Sequence, residues 1–234
     1  MRLFAPKHQK SIYDLFGDLS QILVVSSEAL SRAFGEAPSE RPALIRPIEK
    51  GAADAAKVTR RIANILAVSL ITPFEAEVLH ELSHRMSNVA AQIHRTADLT
   101  VRLGMGSLPP RLLDAATVLE RAAGHTVEAT WEMSDVAALS TFYDEMRRMD
   151  THVQELLRRA LTDLLRPSPP ENEQAGARAA QGAPNVGSVS TSTMETPDLL
   201  GVLRTREIIA AMEEIAHAHQ AVAQTVDLLR VKDS

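Results

Sequence analysis

The sequence predicts an all-α protein: six long helices forming two tandem three-helix bundles, with a disordered insert before the last helix. Apolar residues recur in steps of three and four over long stretches, as on a helix with one buried edge. Hydrophobic residues make up 45% of the chain but aromatics only 3%. Ala, Leu, Ile and Val must therefore fill the core, which favours closely packed helices over sheets. Gly- and Pro-containing stretches punctuate the chain between the periodic segments.

The first helix, Ser11 to Phe34, has the seam Ile12, Phe16, Leu19, Leu23, Ser26, Leu30 and Ala33, and ends in GEAPSERP. The second, Pro42 to Leu70, uses Ile48, Ala55, Val58, Ile62 and Ile65. Gly51 in its middle costs about 1 kcal/mol relative to alanine, so its packing must offset that. The third runs from Ile71 to Leu103 with an unbroken seam: Leu79, Leu82, Met86, Val89, Ile93, Thr96, Thr100 and Leu103. Thr72, Pro73 and Glu75 predict its start, as a capping box with proline in the first turn. Gly104, Gly106, Pro109 and Pro110 end it.

A fourth helix spans Pro110 to Met133. The fifth, Ser134 to Leu165, has the seam Leu139, Phe142, Met146, Met149, Val153, Leu156 and Ala160. Arg166 to Pro197 is rich in Pro, Gly, Ser, Ala and Thr with almost no large apolar side chain, which predicts disorder. The sixth, Asp198 to Arg230, has the seam Ile208, Met212, Ile215, His219, Val222, Val226 and Leu229.

The helix order suggests a duplication, with residues 1–106 as the first bundle and 107–234, including the insert 166–197, as the second. Glu49 and Asp54 in the second helix match Glu145 and Asp150 in the fifth in spacing. A Thr-Pro precedes both the third and the sixth helix, at Thr72-Pro73 and Thr196-Pro197. Asp54 lies 18 positions before Thr72 and Asp150 lies 46 before Thr196, an excess of 28 close to the length of the insert.

Composition excludes several classes. The net charge of −5 argues against a nucleic-acid partner. With no cysteine there is no disulfide, thiolate metal site or cysteine nucleophile. The MRLFAPKHQK start lacks the apolar run of a secretory signal, and no stretch of about 18 apolar residues predicts a membrane span. A soluble cytoplasmic protein is the expectation.

The chemistry-bearing residues concentrate opposite the seam of the third helix. Glu77, His80, His84, Ser87 and Ala91 fall on one stripe, and Glu81 completes HELSH. That pattern matches the zinc-protease helix, in which two histidines one turn apart hold the ion and the glutamate is general base. A third ligand is required, and none follows at the usual spacings. A second reading uses Glu-x-x-His, at Glu77–His80, Glu81–His84 and Glu214–His217. Bundles that hold two metal ions combine such pairs with glutamates like Glu49 and Glu145, as in oxidases, though their ligands project inward. The bland alternative is a solvated polar face. His219, on a seam, reads as a hydrogen-bonded core histidine, and Trp131 as a packing residue or rim contact. No phosphate-binding glycine loop and no nucleophilic triad is present, which favours a regulator over an enzyme.

Three segments carry a family resemblance. SIYDLF (Ser11 to Phe16) is similar to an opening Phe-Phe-Asp-Leu-Phe helix. LITPFEAEVL (Leu70 to Leu79) is similar to a Thr-Pro-Phe-Asp-Arg-Glu-Asp-Ile signature. REIIAAMEEIAHAHQAV (Arg206 to Val222) is similar to a closing Lys-Glu-Ile-Tyr-x-x-x-Glu helix. Together they resemble the PhoU-like phosphate-transport regulators, in particular the Pit accessory branch. The resemblance implies two three-helix bundles side by side and a non-enzymatic role in inorganic phosphate transport. It implies docking on a Pit-type transporter at the cytoplasmic membrane face, and it leaves homo-oligomerisation and a helical adaptor unrelated to phosphate open.

Acidic Glu/Asp-x-x-x-Asp motifs on the outside of such bundles can hold several metal ions. The matching positions here depart from that pattern. Glu75 and Glu77 stay acidic, but Ala76 and Val78 replace Arg and Asp, and Ser87 and Ala91 stand where an aspartate pair is expected. Asp54 and Asp150 remain, with Lys50 and Met146 four residues earlier and Glu49 and Glu145 one place further back. Glu213 precedes His217 at the same spacing. The candidate metal ligands are therefore Glu77, His80, His84, Glu213, His217, Glu49, Asp54, Glu145 and Asp150, for a divalent or iron ion on the bundle surface.

Overall fold

The computed structural model describes residues 7–69, 71–72, 74–133, 138–165 and 199–232. Six long helices account for almost all of them: α1 (Lys7–Gly35), α2 (Arg41–Val68), α3 (Ala76–Arg102), α4 (Pro110–Glu132), α5 (Phe142–Leu165) and α6 (Leu199–Lys232). The insert predicted at 166–197 lies outside the described residues. Helices α1–α3 pack together, as do α4–α6, and the two trios meet where α1 lies along α4 and α3 along α6. The fold is thus the predicted pair of three-helix bundles, here sharing one continuous apolar core from Ile12 on α1 to Leu229 on α6.

The seams point inward as their spacing requires. Every seam residue of α1 and α6 is buried, and on α3 only Leu103, at the end, is half-buried. Helices with several neighbours bury a wider face. On α3, Val78, Ser83, Ala90 and Ala97 are buried beside the seam. On α6, Ile209, Ala216, Ala218 and Ala223 are buried too, because α3 packs on one flank and α5 on another. Hydroxyls tie the helices across these contacts. Ser20 and Thr130 share a hydrogen bond of 3.0 Å between α1 and α4. Thr96 donates to the Ala211 carbonyl at 3.2 Å between α3 and α6.

Gly51 is explained by one neighbour. A methyl group added there would sit 2.6 Å from Ser26 Oγ, so the missing side chain lets α1 approach α2. At the end of α3, Gly104 takes a positive φ of 58°. Its N–H donates to Val101 and that of Met105 to Thr100, which satisfies two terminal carbonyls.

Three helix starts differ from expectation, the first being α1, which begins at Lys7, four residues before Ser11. Helix α3 begins at Ala76 with Glu75 in the capping position, and no side chain caps it. Thr72 instead turns its hydroxyl to the Phe74 carbonyl. Phe74 is buried, so core packing, not a capping box, fixes how the chain enters α3. Helix α5 begins at Phe142 and not Ser134. A 3-10 turn, Ala138–Ser140, comes first. Leu139 and Phe142, three residues apart, are both buried there, and the Glu145 N–H donates to Thr141.

Arg41, the first residue of α2, is the largest surprise. It is buried, and its guanidinium donates to the carbonyls of Ala33 (3.0 Å), Met105 (2.6 Å) and Gly106 (2.8 Å). One side chain thereby fastens the end of α1 and the α3–α4 connection to α2. Burial lowers its pKa. The carbonyl dipoles, including that in the last turn of α1, compensate the charge.

Candidate functional site

The outer face of α3 presents the stripe. Because Leu79, Leu82 and Met86 lock the opposite edge into the core, Glu77, His80, Glu81 and His84 must project outward, and all four are exposed. His80 and His84 stand one turn apart, with ring centroids separated by 4.5 Å and planes tilted by 55°. Glu81 is held by Arg85 at 2.6 Å. A protease-like assembly would need a third ligand beside the two rings. Among the described residues no group of three or more His, Asp or Glu side chains is placed to hold a metal ion.

The other candidates are scattered. Residues five apart on a helix diverge by about 140°, so neither acidic pair converges. Glu49 is exposed, while Asp54 lines an open groove of about 520 Å³ between α1 and α2, together with Asp18, Val25, Ser26, Pro47 and Lys50. Lys57 bonds Asp54 at 2.8 Å and holds its carboxyl below the usual carboxylate range. Glu145 turns toward His125 on α4, at 3.5 Å from Nδ1, and Glu128 lies 3.0 Å from the same nitrogen. Asp150 faces inward instead. On α6, Glu213 is half-buried and His217 exposed.

Asp150 and His219 line one small cavity with Leu119, Met146, Val153 and Ala216. The cavity measures about 10 Å³, close to the room one water needs. His219 is 2% exposed, as its seam position requires. The expected hydrogen bond is absent: among the described residues neither ring nitrogen has a partner, and neither has Asp150 Oδ1. Burial pushes the His219 pKa down to about 4, so the ring is neutral near pH 7. Trp131 is no packing residue, being 77% exposed at the end of α4.

Of the nine candidates, then, only His80 and His84 are brought together. The His125–Glu145 pair and the Asp150–His219 cavity escape sequence reasoning because each joins different helices, and only the matched seams of α5 and α6 hint at the second.

No protein-family model and no curated protein matches the sequence. Two crystal structures from Shewanella oneidensis MR-1 share its architecture. One, a PhoU-like protein, aligns over 99% of both chains with a TM-score of 0.65 and 13% identity. The other, described as a PhoU-like phosphate regulatory protein, aligns over 97% of this chain and 98% of its own, with a TM-score of 0.62 and 14% identity. The fold is therefore PhoU-like from end to end.

Proposed function

We propose that this chain is a non-enzymatic regulator of inorganic phosphate transport. The observation that carries the reading is the end-to-end likeness to a structure described as a PhoU-like phosphate regulatory protein. The three signature-like segments at Ser11–Phe16, Leu70–Leu79 and Arg206–Val222 add to it. More finely, the chain acts as a Pit-type accessory protein that docks from the cytoplasm onto its transporter. Among the described residues no helix is long and apolar enough to cross a membrane, consistent with a peripheral partner.

The test is genetic and biochemical. Removing the gene from its native host changes the rate of radiolabelled phosphate uptake, and reintroducing the gene restores it. Photo-crosslinkers on the outer faces of α3 and α6 capture a Pit-type transporter. Uptake identical with and without the gene would remove the phosphate reading. Altered uptake without transporter capture would retain regulation and discard direct docking.

A further inference from the structure

We propose that His80 and His84 form a two-imidazole site for a late first-row divalent metal ion such as Zn²⁺ or Cu²⁺. This rests on the geometry of α3 alone and does not depend on the transport reading. The rings are one turn apart on an exposed face, and their centroids lie 4.5 Å apart. A tetrahedral ion with Zn–N bonds of about 2.0–2.1 Å holds two ligand nitrogens about 3.3 Å apart. Each imidazole nitrogen sits roughly an ångström from its ring centroid, so small side-chain rotations bring one from each ring to that separation. No hydrogen bond or ion pair to either ring competes among the described residues.

The surroundings favour the charge. Glu77 lies one turn before His80 and is exposed, with no ion-pair partner among the described residues. Glu81 draws Arg85, the nearest cation along α3, into its own pair. The backbone under the rings is fixed, because Leu79, Leu82, Ser83 and Met86 are all buried. Ser83 further ties its hydroxyl to the His80 carbonyl at 2.7 Å. Two protein ligands leave the remaining coordination positions to solvent or to a donor from a partner. With half the ligand set of a structural zinc site, the dissociation constant is on the order of 10 µM for Zn²⁺, and Cu²⁺ binds more tightly.

Isothermal titration of the full-length protein with Zn²⁺ and with Cu²⁺, in a non-coordinating buffer, tests this. The expected result is one site per chain. Its affinity falls at least tenfold in His80→Ala and in His84→Ala and is unchanged in His217→Ala. Both positions are exposed, so the variants keep their helicity by circular dichroism. A second readout is zinc-induced shifting of the His80 and His84 ring resonances. The proposal is overturned if neither ion binds below millimolar concentration. It is equally overturned if the doubly substituted H80A/H84A protein binds as tightly as the native chain.

Discussion

Asp150 on α5 and His219 on α6 face one cavity of about 10 Å³, yet Asp150 Oδ1 and both imidazole nitrogens lack hydrogen-bond partners among the described residues. A buried histidine in this state couples folding to pH. Its folded pKa is about 4, against 6.5 for the free side chain. Between those values the unfolded chain binds the extra proton. Stability is therefore complete above about pH 6.5 and declines as pH falls toward 4, by up to about 3 kcal/mol in all. Urea midpoints at pH 7 and pH 4.5 should show the decline. Carboxylates titrating in the same range add their own slope, so the histidine contribution is the part absent from a His219→Leu variant.

His219→Leu carries its own expectation. Leucine nearly matches the imidazole in volume and removes two unsatisfied polar atoms from an apolar seam. Leaving buried polar groups unpaired costs about 1–3 kcal/mol, so the variant should gain roughly 1–2 kcal/mol at pH 7 and melt higher. A loss of stability would mean that the imidazole finds a partner in solution, with a water in the cavity between it and Asp150 as the first candidate.

Arg41 is the opposite case, a buried charge with all its partners. Its three acceptors are carbonyls 8, 64 and 65 residues away. Arg41→Met keeps the apolar stem but strands those carbonyls, which should cost about 3 kcal/mol by chemical denaturation. Arg41→Lys retains the charge without the planar fork and should fall between the two. Hydrogen exchange should accelerate first in the α3–α4 connection, residues 103–109, since two of the three bonds end there.

Which features could be read from the sequence follows from the range of the forces involved. Helical periodicity is a local property, so the seams of α1, α3 and α6 emerged residue by residue. The His80–His84 pairing was legible for the same reason, as both lie on one turn of one helix. The start of α3 was misread because the burial of Phe74, a tertiary effect, outweighed a local capping pattern at Thr72. Nothing in the sequence singled out Arg41 within GEAPSERP, because two of its three partners, Met105 and Gly106, come from distant positions. Trp131 read as either a packing residue or a rim contact, and its 77% exposure at the end of α4 removes the first of these. The acidic pairs matched between the halves in spacing but could not converge, since that spacing splays them around the helix.

Gly51 and Ser26 form a pair whose coupling can be measured. Glycine within a helix costs about 1 kcal/mol relative to alanine, so Gly51→Ala alone gains that propensity while driving a methyl group against Ser26 Oγ at 2.6 Å. Ser26 is buried, and its hydroxyl has no hydrogen-bond partner among the described residues. Ser26→Ala therefore removes the clashing atom at little polar cost. The single change at Gly51 should be neutral to destabilising. In the Ser26→Ala background the same change should stabilise by up to about 1 kcal/mol, leaving a coupling energy of at least about 0.5 kcal/mol. Additive effects in the urea-denaturation cycle would show that α1 and α2 do not meet at this glycine as described.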